Sequence, residues 1–350
     1  MIRLPRLAAL TALLFALVTL APPAAAQTTY TLTPSQDTEI RANATNTTCG
    51  ACTSLNVRTH STGEYRALYQ FDLSSIPSGQ RVTSATLRIW VTTASSTAVG
   101  VHKVNQSWSE SVLTWGNSGG GVAHDSVASG SFTPAATARY YDIDITALAA
   151  QWRAGTANYG VILKIGGSNN QATFTSRELA TTTQRPQLVV VAQPAPSFAT
   201  VASTSVSWDT YNLAVNPKLI PGAIALRSLK ITNSSSGYAD ANSVVLVQAV
   251  PTQASLFVND LGSAGSGPLT FAQGTPSSSL TYTYTSLAST TDDVSFSKDN
   301  GATYTYTPVP DATGYDPAVT HIKIAPKGTF AGAGTSGSPS FTLSYRLKVK

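Results

Sequence analysis

The stretch YRALYQFDLSSIPSGQRVTSATLRIWV, residues 65–91, decides the fold of the first half of the chain. It runs from one alternating segment through a Pro-Ser-Gly turn into a second segment of period two. In that second segment Ala85, Leu87, Ile89 and Val91 share one face, and Thr86, Arg88 and Trp90 share the other. This alternation is typical of a half-buried antiparallel strand, so the sequence predicts a β-sandwich and not a nucleotide-binding domain.

The composition agrees with an all-β protein. Only 11% of the 350 residues are charged, and small, hydroxyl-bearing and β-branched residues dominate. One helix is predicted over residues 145–152, and the length suggests two domains. The formal net charge is +5, and the Lys and Arg residues are scattered rather than gathered into a basic stripe. We therefore expect no nucleic-acid partner.

The N-terminus has the order of a secretory signal peptide. Arg3 and Arg6 precede an apolar run over residues 7–20, and residues 24–26 are Ala-Ala-Ala. A charged segment, a short apolar segment and small residues at the cleavage site favour export over a membrane span. We expect cleavage after Ala26 and a secreted, extracellular protein. No second apolar run is long enough to cross a bilayer, so no membrane span is expected after cleavage.

The two cysteines, Cys49 and Cys52, lie in an Asn- and Thr-rich loop with C-x-x-C spacing. A thioredoxin-type redox site would stand at the start of a helix in a βαβ unit, and a structural zinc site needs four ligands. Neither context is present in the sequence. In an exported chain, this spacing predicts a local disulfide.

The chain divides into two predicted β-domains. Nine short strands are expected in residues 28–192, at 30–32, 54–58, 65–71, 81–91, 99–104, 138–143, 159–165, 172–176 and 187–191. That number of short strands predicts a jelly-roll β-sandwich. Residues 193–204 are rich in Pro and Ser and are predicted to form a stiff linker that cannot pair in a sheet. Residues 205–350 predict a second β-domain, with a hairpin around Asn300-Gly301.

A series of short motifs follows in order along residues 71–186. They are Phe71-Asp72-Leu73-Ser74 with Ile76-Pro77, Ser84-Ala85-Thr86-Leu87, Trp108-Ser109-Glu110 with Leu113-Thr114-Trp115, Asp144-Ile145-Thr146, Gln151-Trp152, Gly155, Asn158-Tyr159-Gly160, Phe174-Thr175-Ser176-Arg177-Glu178 and Arg185-Pro186. This series resembles the DNRLRE domain, which overlaps the family 96 carbohydrate-binding modules. The resemblance covers residues 28–192. It implies a jelly-roll sandwich in an exported bacterial protein and, in some relatives, the binding of acidic polysaccharide.

The second half carries motifs of a different kind. Asn216-Pro217-Lys218, Ile220-Pro221-Gly222-Ala223 and Leu229-Lys230-Ile231-Thr232-Asn233 follow one another. They resemble the conserved-repeat, DUF11-like domain of exported bacterial proteins. The resemblance implies an Ig-like β-sandwich over residues 205–350.

A sugar-binding face is the sharpest functional hypothesis. Carbohydrate modules stack aromatic rings on sugar faces, and acidic glycans also require Arg or Lys. Arg88 and Trp90 share the outward face of one strand, Arg66 stands on the strand predicted beside it, and Lys103 and Arg139 extend the surface. We therefore predict that these five residues bind a polysaccharide or cell-envelope glycan. The alternative, in which a loop covers Trp90 and the cations are solvated, stays open.

The sequence offers little support for catalysis or a cofactor. No H-E-x-x-H, G-x-S-x-G or Walker motif occurs, and Glu110 and Glu178 are the only weak suggestion of a glycosidase pair. We expect no enzyme and no cofactor. Structural calcium is possible, with oxygens supplied by Asp37, Glu39 and Asp72 or by an Asp142/Asp144 pair.

Two functional hypotheses follow from the sequence. In the first, a secreted, non-catalytic protein adsorbs to a polysaccharide, with anionic polysaccharides among the candidates. In the second, it is a structural or adhesive surface protein whose sandwiches act as spacers without a ligand site. Binding requires aromatic and cationic side chains to cluster on one exposed patch, whereas spacers leave them dispersed.

Overall fold

The computed structural model describes residues 27–350, and the predicted signal peptide, residues 1–26, lies outside the described residues. Two β-domains follow one another, so the all-β prediction is confirmed. Within the described range, no helix combines the length and apolarity needed to cross a bilayer.

The N-terminal domain contains eleven strands, one α-helix and one 3-10 turn. They are β1 (Thr28–Leu32), β2 (Pro34–Arg41), β3 (Ser54–Thr59), β4 (Tyr65–Phe71), β5 (Gln80–Thr93), β6 (Val99–Lys103), β7 (Gly130–Phe132), β8 (Arg139–Asp144), α1 (Thr146–Arg153), β9 (Val161–Ile165), β10 (Asn170–Thr175), the 3-10 turn Thr182–Gln184 and β11 (Gln187–Pro194). The predicted helix is confirmed, and Gly155 at φ +106° follows its end, a conformation that favours glycine.

The strands form one antiparallel network in the order β1-β11-β5-β10-β3-β4-β9-β6-β7, with β2 also paired to β4 and β8 to β5. The inward side chains of β5 and β4, such as Leu87 and Ala67, belong to the same hydrophobic core. The network therefore folds back on itself, with β5 in one layer of a sandwich and β4 in the other.

Strand β5 anchors the core as its sequence predicts. Ala85, Leu87, Ile89 and Val91 have no exposed surface, whereas the residues between them are partly exposed. In the neighbouring strands Leu87 lies opposite both Leu188 and Ile143. Period-two alternation thus places one continuous apolar row between three strands.

A second, smaller core lies on the outer face of β4 and β9. Ile40, Leu68 and Ile162 are fully buried there because the segment that follows β6, residues 104–129, packs over them. Leu113 and Val122 supply the covering side chains. We call residues 104–129 the covering segment, because it holds several side chains that are described below.

The C-terminal domain packs two sheets over a single core. Its strands are β12 (Phe198–Trp208), β13 (Ile224–Asn233), β14 (Leu246–Ala249), β15 (Ala254–Phe257), β16 (Leu269–Gln273), β17 (Val294–Ser297), β18 (Tyr315–Asp316), β19 (His321–Ile324) and β20 (Ser340–Val349). The larger sheet has the order β12-β13-β20-β15-β18 with β16 on β20, and the smaller has the order β14-β19-β17. Leu343 of the larger sheet and Ile322 of the smaller meet in the shared core.

Two expectations for the second half of the chain are wrong. The segment 193–204 is not an unpaired linker, because Gln193 and Pro194 end β11 opposite Arg81 and Gln80, and β12 already begins at Phe198. Strand β17 pairs with β19 along its length and meets the segment after Asn300-Gly301 only through a single bridge to Tyr306, so no regular hairpin forms there.

The two domains also contact each other beside their short connection. The guanidinium of Arg81 on β5 donates a 2.8 Å hydrogen bond to the carboxylate of Asp240 and lies 5.5 Å from the ring of Tyr238. These contacts join the edge of the first sandwich to a loop of the second.

Replacing Leu87 with alanine should destabilise the N-terminal domain by about 3 kcal/mol, because the truncation leaves a cavity in a row without exposed surface. Differential scanning calorimetry should show a loss in Tm of about 6–10 °C for that domain. Thr86→Ala, on the outward face of the same strand, is the matched control and should cost no more than about 0.5 kcal/mol. Equal losses in the two variants would contradict this orientation of β5.

Candidate functional site

Arg88 and Trp90 lie together, but their surroundings are nearly neutral. Arg88 donates a 2.8 Å hydrogen bond to Asp142 on β8 and lies 4.7 Å from the ring of Tyr140. Trp90 packs edge-to-face against the same Tyr140, with ring centroids 5.1 Å apart. We call these four residues the β5–β8 face. It offers aromatic surface, yet the positive charge of Arg88 is paired with a carboxylate.

The other predicted binding residues are elsewhere. Arg139 is exposed at the start of β8, but it stacks on Tyr141, whose ring faces the core side of the strand, so it does not extend the β5–β8 face. Lys103 on β6 lies 3.7 Å from the carboxylate of Asp125. Arg66 is on β4, which pairs with β2, β3 and β9 and not with β5. The structure therefore divides the predicted set among separate surfaces.

Arg66 is mostly buried beneath the covering segment. It forms a two-bond ion pair with Glu64, at 2.8 Å for each bond, and donates a 2.6 Å hydrogen bond to the carbonyl of Gly121. Its guanidinium also lies 4.9 Å from the ring of Trp115. Arg66 thus holds the covering segment against β4, and its own charge is paired with Glu64.

Beside Arg66, further nitrogen-bearing side chains gather on the outer face. The register of β4 and β9 places Lys164 next to Arg66. The Nζ of Lys164 lies 3.1 Å from Nε2 of His124, and the rings of His124 and His102 are 5.6 Å apart. Glu64 is the only carboxylate paired with any of these four residues in the described part of the chain. We call Arg66, His102, His124 and Lys164 the basic patch.

The hydrogen bonds of His124 indicate a neutral ring. Nδ1 of His124 lies 2.7 Å from the carbonyl of Val122, so it donates there, which leaves Nε2 to accept from Lys164. Nδ1 of His102 donates in the same way to the carbonyl of Asp125 at 2.9 Å. In this arrangement Lys164 keeps its proton and has no carboxylate within salt-bridge distance.

Electrostatic strain within the basic patch shows in its pKa values. Burial lowers the pKa of His102 below 6.5, and the neighbouring His124, Lys164 and Arg66 lower it further. Burial also lowers the pKa of Lys164, with Arg66 as the main charged contributor, while Glu64 opposes the shift. The patch is therefore short of negative charge, the condition that favours an anionic ligand.

The lowered pKa of His102 predicts acid sensitivity. His102 has a pKa of 6.5 in the unfolded chain and a lower pKa in the folded protein. Between these two values the imidazole is protonated mainly in the unfolded chain, so acidification favours unfolding. Thermal melts at pH 7.5 and 5.5 should show a larger Tm loss for the wild type than for His102→Asn, which keeps a donor for the carbonyl of Asp125. Equal losses would show that His102 does not titrate in this window.

A separate acidic cluster lies at the end of the sandwich where β2 meets the loop that follows β10. Asp37, Glu110 and Glu178 each place one carboxylate oxygen within 4.8 Å of the others. Arg177 binds Glu110 through two hydrogen bonds of 3.1 and 2.6 Å and lies 2.8 Å from Glu178, and its backbone N–H donates to Asp37 at 2.7 Å. The guanidinium of Arg177 thus pairs with two carboxylates, and the backbone N–H of the same residue binds the third.

Burial dominates the electrostatics of the acidic cluster. Asp37 has no exposed surface, and this burial raises the pKa of its carboxyl to about 8, although the backbone N–H of Arg177 opposes the shift. Burial also raises the pKa of Glu110 in spite of its ion pair with Arg177. Oδ1 of Asp37 and Oε2 of Glu178 are buried without a hydrogen-bond partner.

The other carboxylates that the sequence suggested as calcium ligands lie apart from one another, and each binds partners of its own. Glu39 is buried, pairs with Arg41 and accepts two bonds from Asn56. Asp72 is exposed and caps a turn at Ser74. In the described residues, only Asp37 of the Asp37, Glu39 and Asp72 set joins a carboxylate cluster. Asp142 and Asp144 are likewise separate, paired with Arg88 and Thr146.

The structure contains the predicted disulfide and places three tryptophans against hydrophobic cores. Cys49 and Cys52 form a disulfide. Trp152 is buried in the main core, and Trp108 and Trp115 pack against the small core on the outer face. The three tryptophans are therefore packing residues rather than open sugar platforms.

Sequence reasoning missed Lys164, His102 and His124 as neighbours of Arg66. Their positions alternate outward on β9 and β6 or fall in the covering segment, and nothing in their local sequence links them. The one available signal was the alternation of residues 161–165, which places Lys164 on the face of β9 that points away from the main core.

Comparison with known protein families gives a match for the N-terminal domain. Residues 28–192 match the model of carbohydrate-binding module family 96, so the N-terminal domain is similar to carbohydrate-binding modules. No curated protein matches the chain. The DUF11-like and Ig-like character of the C-terminal domain stays a prediction.

Proposed function

We propose that the protein is exported, is not an enzyme and binds an anionic polysaccharide through the basic patch of its N-terminal domain. The similarity of residues 28–192 to family 96 carbohydrate-binding modules supports the ligand class. The excess of basic over acidic side chains in the basic patch favours a negatively charged ligand. The predicted signal peptide supports export.

The observation that carries the proposal is the unbalanced charge around Lys164. Its ammonium group forms its only hydrogen bond among the described residues with the neutral Nε2 of His124. Burial lowers the pKa of Lys164, and Arg66 beside it lowers it further, while Glu64 opposes the shift. A sugar carboxylate or sulfate at this position would relieve the repulsion and accept charge-assisted hydrogen bonds. The β5–β8 face lacks this imbalance because Asp142 pairs with Arg88.

The geometry of Glu110 and Glu178 supports a non-catalytic role. A glycosidase places its two carboxyl groups at least about 5 Å apart, on either side of a sugar. Here both carboxylates bind the same guanidinium of Arg177, and their nearest oxygens lie within 4.8 Å. A sugar cannot enter between them without breaking these ion pairs.

Affinity electrophoresis of the purified protein through gels that contain alginate, polygalacturonate or a neutral glucan tests the proposal. An acidic polymer should retard the wild type, and added salt should weaken that retardation because the contacts are ionic. Lys164→Gln should bind about 5-fold to 10-fold more weakly, since a partly exposed ion pair contributes roughly 1 kcal/mol.

Two control variants locate the binding site. Lys230→Gln makes the same charge change on an exposed strand of the C-terminal domain and should bind like the wild type. An Arg88→Gln/Trp90→Ala double variant should also retain binding. Loss of binding in this double variant alone would move the site to the β5–β8 face. Absence of retardation by every polymer would contradict the proposed function and favour the structural spacer.

A further inference from the structure

We propose that Asp37, Glu110 and Glu178 form a calcium site that joins three distant segments of the N-terminal domain. Asp37 comes from β2, Glu110 from the covering segment and Glu178 from the loop after β10. The inference does not depend on polysaccharide binding.

The first support is the pair of buried oxygens without partners. Oδ1 of Asp37 and Oε2 of Glu178 receive no hydrogen bond from a donor group of the described residues, and Asp37 has no exposed surface. Without a cation, only a proton shared between the Asp37 and Glu178 carboxyls would pair them. An unsatisfied buried acceptor costs roughly 1–3 kcal/mol, and a charged one costs more. A bound cation would satisfy both oxygens together.

The second support is the spacing and chemistry of the donors. Calcium binds oxygen at about 2.3–2.6 Å, so two ligands of one ion lie at most about 5 Å apart. One oxygen from each carboxylate meets this limit, since all three lie within 4.8 Å of one another. The donors are all carboxylates, with no histidine or thiolate, which favours a hard cation over zinc or copper.

The third support is the charge balance. When all three carboxylates are ionised, they share the single positive charge of Arg177, because both glutamates pair with this guanidinium. Arg177 occupies the oxygens Oε1 and Oε2 of Glu110 and Oε1 of Glu178, which leaves Oδ1 of Asp37 and Oε2 of Glu178 without a partner. A divalent cation would neutralise the two charges that Arg177 leaves.

The Glu110 side of the acidic cluster opens on a cavity. Glu110 and Arg177 line an open cavity of about 520 Å³ together with residues of the loop around the disulfide, such as Gly50. Water from this cavity would complete the six to eight oxygen ligands that calcium prefers.

Calcium titration of the EDTA-treated protein tests the site. Isothermal titration calorimetry should give one site per chain, and a hundredfold excess of CaCl2 over the Kd should raise the Tm of the N-terminal domain by about 5–10 °C. Magnesium at equal ionic strength should have a much smaller effect. No heat and no Tm change up to 10 mM CaCl2 would overturn the proposal and leave a proton as the group that neutralises Asp37.

Variants separate specific binding from a general salt effect. Asp37→Asn and Glu178→Gln should each lose the calcium response. In EDTA, Asp37→Asn should melt no lower than the wild type, because the amide removes carboxylate repulsion. The matched control Asp72→Asn removes an exposed carboxylate of the same domain and should keep the full response. A wild-type response in Glu178→Gln, or an equal rise with magnesium, would also overturn the proposal, even if Asp37→Asn fails to fold.

Discussion

The N-terminal domain depends on stabilising negative charge that it buries at one end of its core. Asp37 and Glu39 alternate along β2 on the side that faces the interior, and neither has exposed surface. Glu39 is neutralised by Arg41 and by hydrogen bonds from Asn56. Asp37 relies on one backbone N–H and on its neighbours. A buried ion pair adds little net stability, but leaving either charge alone would be costly, so the surrounding loops are constrained to supply partners.

Apolar periodicity accounts for what the sequence could predict. Strand β5 alternates without exception over residues 85–91, and every inward residue is buried as expected. The same reasoning overlooked β2 as a strand, because the inward positions of residues 34–41 carry Asp37 and Glu39 in place of apolar side chains. A charged inward row has no hydrophobic signature. Apolar periodicity therefore could not predict β2, the strand that carries Asp37 of the acidic cluster, although it predicted the strands around it.

Contacts between distant segments explain the remaining differences. Pro194 and Pro196 suggested an unpaired linker. A proline can nevertheless occupy the last position of a strand, and Pro194 ends β11 opposite Gln80 of β5. The Asn300-Gly301 turn suggested a hairpin, but β17 finds its partner more than twenty residues later in β19. The sequence also placed Arg66 beside Arg88, because β4 and β5 follow one another along the chain. The two strands lie in opposite layers, so the two arginines are on different surfaces.

The covering segment connects the two charged regions of the domain. Glu110 extends from it into the acidic cluster. Farther along the same segment, Trp115 and Gly121 contact Arg66, and His124 is itself part of the basic patch. Its apolar residues fix it on β4 and β9 through the small outer core. A cation at the acidic cluster would hold the start of this segment by a strong electrostatic bond, and the position of His124 against Lys164 depends on the same segment. The acidic cluster at the end of the sandwich and the basic patch on its outer face thus share one structural support.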